Sequence, residues 1–244
     1  VKAMHATGIK ADKAKMELKE LNPANQIVFD VSGDDSIGIN VNDTASAGLT
    51  IYDSGTYTVS GNRSNLIETK KGIKLKADTT HSSTFTASGS NSNIILATDD
   101  GDIDLEKGKF SASGSQSNAI ITTAGKNINI TAKGSKFYVT GTNSNAINNL
   151  GDGNISVDKD TYPTTPTGSN YNNSIFTIGK DSGDNSSVTD YSNGIYSEAG
   201  GKVEVKYTDF NIFGNGNGQN NGIFITNSAG GATYSVDHSN FNVE

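Results

Sequence analysis

Residues 108–133 read GKFSASGSQSNAIITTAGKNINITAK. Lys109-Phe110-Ser111-Ala112-Ser113 alternates polar and apolar side chains, as a half-buried strand does. Gly114-Ser115-Gln116 breaks the run. Ser117-Asn118-Ala119-Ile120-Ile121 follows as a second strand with Ile120 facing inward, and Gly125 ends it. Asn127-Ile128-Asn129-Ile130-Thr131 is a third strand, again of period two. Three short strands per unit, each with a few inward side chains, describe one coil of a parallel β-helix.

The same coil recurs on both sides of this stretch. An aromatic–x–Val/Ala/Ile pattern starts at Phe29, Tyr57, Phe85, Phe110, Phe137, Phe176, Phe210 and Phe241. A Ser-Asn-x-Ile pattern follows at Ser64, Ser92, Ser117, Ser144 and Ser192, with Asn220-Asn221-Gly222-Ile223 as a variant. Then come apolar pairs one residue apart: Leu49/Ile51, Ile73/Leu75, Ile103/Leu105, Ile128/Ile130, Ile155/Val157, Val203/Val205 and Tyr234/Val236. A period of about 30 residues is the signature of a solenoid. The expected fold is therefore all-β: a right-handed parallel β-helix of about eight three-stranded coils, spanning 1–244 as one segment, with the hand following from the rule for parallel crossovers. At about 4.8 Å per coil the rod is roughly 38 Å long. The aromatics should stack in an interior column. Each Asn of Ser-Asn-x-Ile should sit at the corner between strands one and two, because Asn tolerates the left-handed conformation. Its amide can also bond to the Asn of the neighbouring coil.

Thr7-Gly8-Ile9 followed by Met16-Glu17-Leu18 matches Asn193-Gly194-Ile195 followed by Val203-Glu204-Val205. This match predicts a chain that begins in mid-coil and ends on a first strand at Phe241. With no polar cap or signal peptide legible, it reads as a segment of a longer protein.

Composition narrows the function classes. Hydrophobic residues make up 33%, little for a globular core but enough for a solenoid in which each coil is buried by its neighbours. The net charge of −7 argues against a nucleic-acid footprint, which needs a clustered basic face. No apolar run reaches the length of a membrane-spanning helix, so membrane attachment is expected only through other parts of a parent protein. Cysteine is absent, which removes disulfides and thiolate metal sites and fits export of an unfolded chain through a narrow pore.

Two places stand out as candidate binding surfaces. The first is a pair of long connections, 158–174 between strands three and one and 180–191 between strands one and two, which lie in neighbouring coils. They carry Tyr162, Tyr171 and Tyr191 beside Asp181 and Asp184. Long loops in an economical solenoid are tolerated insertions or functional projections, and tyrosine supplies contact area plus a hydroxyl. The second is strand two, whose expected outward positions include Leu66, Ile94, Leu96, Ala119 and Ile121, then Tyr196 and Phe224. A solvated face should be polar, and contiguous exposed apolar area marks an interaction surface. A strand that bends so that these residues are partly covered would explain the pattern equally well.

No catalytic constellation is legible. The outward row of strand one, Asp30, Thr58, Thr86, Ser111, Tyr138, Thr177 and Asn211, holds one isolated acid, whereas glycosidic chemistry needs paired acid/base groups. His5, His81 and His238 share no motif. Asp99-Asp100-Gly101-Asp102 lacks the remaining ligands of a calcium loop. The expectation is a non-enzyme without metal or cofactor. Lys74 and Lys76, one coil from Asp104 and Glu106, read as opposed surface pairs of small energetic weight.

The Gly-, Asn-, Ser- and Thr-rich, cysteine-free repeats resemble the passenger domain of a bacterial autotransporter. Ser117-Asn118-Ala119-Ile120 and Asn221-Gly222-Ile223 are similar to the Gly-Gly-Ala-Ile motif of chlamydial polymorphic membrane proteins, although the companion Phe-x-x-Asn motif is missing. The resemblance implies a secreted or surface-exposed adhesin at the bacterial cell surface. Its partners would be host-cell protein, glycan or like chains. The alternative within the fold is a carbohydrate-active β-helix enzyme.

Overall fold

The computed structural model describes residues 1–20, 26–42, 48–76, 82–160, 173–179, 189–198, 200–214, 218–226 and 233–244. Three parallel sheets of eight strands each run along the molecule, so seven turns separate the first and last strand of every sheet. No helix occurs among the described residues. The strand-one sheet comprises Val28–Val31, Thr56–Val59, Thr84–Ala87, Lys109–Ala112, Lys136–Val139, Ser174–Ile178, Thr208–Ile212 and Asn240–Val243. The strand-two sheet comprises Thr7–Asp12, Ile37–Asn42, Asn65–Thr69, Asn93–Ala97, Asn118–Thr122, Asn145–Asn149, Asn193–Ser197 and Asn221–Ile225. The strand-three sheet comprises Met16–Lys19, Leu49–Tyr52, Gly72–Leu75, Gly101–Glu106, Ile128–Lys133, Ile155–Asp158, Val203–Lys206 and Tyr234–Asp237. This is the three-stranded parallel β-helix that the repeat predicts.

The core is a set of columns. Tyr57, Phe85, Phe110, Phe137, Phe176 and Phe210 are fully buried and stack with centroid separations of 4.7–5.1 Å; Phe29 and Phe241 extend the column at either side. Such offset stacking adds about 0.5–1.5 kcal/mol per pair beyond the burial of the rings. Ile39, Ile67, Ile95, Ile120, Ile147 and Ile195 form the strand-two column. In strand three the register corrects one expected pair. Ile130 stands opposite Ile103 and Ile155, and Ala132 stands opposite Leu105 and Val157, so the coil contributes Ile130/Ala132 where Ile128/Ile130 was expected. Ile128 faces Gly101 instead, because this strand starts one residue pair earlier than its neighbour in the next coil.

A second correction concerns strand two. Leu66, Ile94 and Ala119 are buried and do not belong to an outward stripe. Both residues after the ladder Asn point inward: Leu66 with Ile67, and Ile94 with Ile95. The backbone bends as it leaves the corner, so strict alternation starts only after the second of the two. Glycines at the same position show what lies there: a Cβ on Gly38 would fall 2.7 Å from Val31 and 2.8 Å from Phe29. Leu96 and Ile121, two residues further on, are half-exposed as expected.

Candidate functional site

Any lateral binding face of this molecule rests on the corners that hold the sheets in register. The corner between strands one and two is built from Gly-x-x-Ser-Asn. Each Ser lies in the interior of the turn and is bonded both up and down the stack. The Ser117 amide donates to Ser144 Oγ at 3.0 Å, and the Ser117 hydroxyl lies 2.6 Å from the Gly89 carbonyl. The same amide-to-hydroxyl bond runs from Ser36 to Ser64, Ser64 to Ser92, Ser92 to Ser117 and Ser144 to Ser192. The last coil substitutes Asn220, whose Oδ1 accepts from the Ser192 amide. The partner glycines sit so close that a Cβ on Gly114 would meet the Gly89 carbonyl oxygen at 2.1 Å. Sequence reading took these Gly as strand breakers and the Ser as part of the repeat motif, and missed the bonds they make along the stack; the signal was the fixed Gly-x-x-Ser spacing at 33/36, 61/64, 89/92, 114/117 and 141/144. It also missed Ser36, whose coil carries Ile37 in place of the ladder Asn.

The Asn ladder is present. Asn93, Asn118, Asn145, Asn193 and Asn221 each donate Nδ2 to the Oδ1 of the Asn one coil before, at 2.7–3.0 Å. These residues are strand residues, however. The left-handed conformation falls two positions earlier, on His5, Asp35, Arg63, Asn91, Gln116, Asn143 and Tyr191. The Asn amides are thereby committed to one another, which favours their structural role over ligand binding.

Outside the corners, the register sets the outer rows. The strand-two row runs Lys10, Asn40, Glu68, Leu96, Ile121, Asn148, Tyr196 and Phe224. Its second half is largely apolar. Tyr196 and Phe224 stack at 5.7 Å with Phe224 41% exposed, while Leu96 and Ile121 are half-buried. Asn148 interrupts the row, donating at 3.3 Å to Asn118 Oδ1 while its own Oδ1 is buried without a partner. The structure therefore keeps Leu96, Ile121, Tyr196 and Phe224 on the expected outer row and removes Leu66, Ile94 and Ala119 to the core.

Of the loop residues, Tyr162, Tyr171, Asp181 and Asp184 lie outside the described residues. Tyr191 is 56% exposed at the left-handed corner position. The base of the second connection is closed by the Thr189 amide donating to the Gly179 carbonyl at 2.9 Å. At the first, Lys107 Nζ stands 2.8 Å from Asp160 Oδ2.

Charge gathers on the strand-three sheet. Glu204 is gripped by Lys202 Nζ at 2.7 Å and Lys206 Nζ at 2.5 Å, and these two ammonium groups hold its carboxyl down at about 2. Lys126 Nζ, 2.7 Å from Asp99, lowers the Asp99 carboxyl below its ordinary value, with the Asp100 amide assisting. Asp100 accepts from the Asn127 amide and Asp102 from Asn129 Nδ2, so the acids of the Asp99–Asp102 turn are all engaged by the next coil. Lys74 and Asp104 face one another at 3.8 Å, as the register expectation requires. These two residues border a shallow depression of about 360 Å³, to which Lys71, Asp100 and Asp102 also contribute. Among the described residues no three His, Cys, Asp or Glu side chains converge as metal ligands, and no helix is long and apolar enough to cross a membrane.

Comparison with protein-family models, with characterised proteins and with solved structures gives no significant match for this chain.

Proposed function

We propose that this chain is part of a bacterial surface-exposed or secreted passenger of autotransporter type, and that it binds a host-cell protein or glycan, or a like chain, through one lateral face of its β-helix. The observation that carries this reading is the outer row Leu96–Ile121–Asn148–Tyr196–Phe224 on the strand-two sheet. A solvated sheet face has no need of four apolar or aromatic side chains in one line. Here they stand on a backbone held by the Ser and Asn ladders, so little ordering is left to be done on binding. Tyr196 and Phe224 supply an aromatic platform of the kind enriched at interface hot spots.

The test is binding of the chain to host cells and to a glycan array by three variants with unchanged far-ultraviolet circular dichroism. They are Leu96→Thr with Ile121→Thr, Tyr196→Ser with Phe224→Ser, and a chain with the 158–174 and 180–191 connections shortened. Loss of binding in either outer-row variant supports the reading. Loss confined to the shortened connections moves the site to the loops, and undiminished binding in all three removes the lateral-face reading.

A carbohydrate-active enzyme is the second reading, and the depression beside Lys74 and Asp104 favours it, since it places carboxylates and ammonium groups together on an outer face. Release of reducing ends or unsaturated sugars that disappears in Asp104→Asn would establish it.

A further inference from the structure

One coil of the interior departs from the all-apolar pattern. The aromatic column consists of Phe except at Tyr57, and the Tyr57 hydroxyl donates to Asp53 Oδ2. Asp53 is 0% exposed. Its Oδ1 also accepts from the Gly55 amide at 2.9 Å and lies 2.5 Å from Ser83 Oγ. Glu20 occupies the equivalent position of the preceding coil: Lys19 pairs with Tyr52, and the Glu20 amide donates to the Tyr52 carbonyl. Glu20 is 6% exposed, and its Oε2 accepts from the amide of Ser54, the residue after Asp53. Its Oε1 is buried and has no hydrogen-bond partner among the described residues. Burial, the bond to Asp53 and the nearby charges of Asp53 and Glu20 together push the Tyr57 hydroxyl far above its ordinary value.

Two carboxylates stacked one rung apart in a core repel one another and are costly to desolvate. Three donors reach Asp53, two on Oδ1 and one on Oδ2, which leaves Oδ2 a free lone pair. No described residue satisfies Glu20 Oε1, and an orphaned buried oxygen of this kind requires an explanation. We propose that Glu20 and Asp53 form an interior cation site that takes Ca²⁺, with Glu20 Oε1 as its free ligand atom. The donors are oxygens throughout, the set that suits a hard cation, and Ca²⁺ tolerates irregular shells completed by hydroxyl, carbonyl or water oxygen. With two carboxylates, the site falls below the three-residue groupings absent from the described residues. It departs from the expectation of a metal-free chain, and it is independent of the binding function proposed above.

The chain has nine Tyr and no Trp, so bound Tb³⁺, a Ca²⁺ surrogate, is sensitised only by tyrosine. Titration of Tb³⁺ into the 244-residue chain should give saturable emission that Ca²⁺ displaces, and Ca²⁺ should raise Tm. Tyr57→Phe restores the residue that seven other coils carry, so it should fold, lower the sensitised emission and keep the Ca²⁺-dependent rise in Tm. Glu20→Gln should lose both. Emission that Tyr57→Phe leaves unchanged, a Ca²⁺ effect that survives Glu20→Gln, or no Tb³⁺ signal in the unaltered chain would each overturn the proposal. Should Glu20→Gln fail to fold, the Tyr57→Phe comparison decides alone.

Discussion

Asn118 accepts from Asn145 Nδ2 at 2.9 Å while donating its own Nδ2 to Asn93 Oδ1 at the same distance, so it is a middle rung bonded on both sides. Asn221 donates to Asn193, and no described Asn stands beyond it. Asn118→Ala strands a donor on one neighbour and an acceptor on the other, and should cost about 1–3 kcal/mol. Asn221→Ala breaks one bond and should cost less than about 1.5 kcal/mol. Urea unfolding of the two variants checks the order; equal losses would mean that the ladder contributes nothing cooperative.

The register itself is tested at adjacent positions. Ile120 is 0% exposed between Ile95 and Ile147, whereas Ile121 lies on the outer face. Ile120→Asp buries an unpaired charge among apolar neighbours and should destabilise by roughly 3–5 kcal/mol. Ile121→Asp leaves its charge in reach of water and should lower Tm far less. Similar melting temperatures for the two would place strand two one residue out of register.

The parts of this fold that were legible in the sequence are those with strict period two. Phe110 and Ile120 announce their direction because their neighbours alternate, and parallel stacking follows from the repeat. Leu66 and Ile94 did not, because the bend after the ladder Asn turns two consecutive side chains inward; Gly38, Gly194 and Gly222 at the same position were the available clue, since each stands where a Cβ crowds the aromatic column. The left-handed corner was misplaced for a related reason. Arg63, Gln116 and Tyr191 adopt it, and none of these residue types advertises that conformation. The Asp53–Tyr57 bond had a signal, the one Tyr in a run of Phe, but the place of Glu20 one coil before becomes visible only once successive coils are aligned.

Acid should act on the strand-three sheet in a defined window. Glu204 is held near 2 by Lys202 and Lys206, against an ordinary value of 4.5. Its folded value is the lower one, so its contribution to stability is fully present above about 4.5 and disappears as pH falls toward 2. A carboxyl-carbon NMR titration should show the Glu204 midpoint near the lower figure, and Lys202→Ala with Lys206→Ala should move it back up. A midpoint unaffected by removing both lysines would mean that the side chain is not held between them in solution.

Glycine at the first corner separates close packing from mere turn composition. A Cβ on Gly114 would lie 2.1 Å from the Gly89 carbonyl oxygen and 2.8 Å from Ser117 Oγ. The first contact is with backbone, so it can be relieved only by moving one coil away from the next, which stretches the bond between the Ser117 hydroxyl and the Gly89 carbonyl. Among the described residues Gly200 has nothing within 4 Å of the added carbon, and its backbone is not left-handed. Gly114→Ala should therefore cost about 2 kcal/mol or more, in the range of strained or overpacked sites. Gly200→Ala should be neutral within about 0.5 kcal/mol, or slightly stabilising through the entropy of the unfolded chain. Differential scanning calorimetry of the two variants measures the contrast. A Gly114→Ala chain that melts with the unaltered protein would show that adjacent coils do not approach at this corner, and would take the Ser ladder with it.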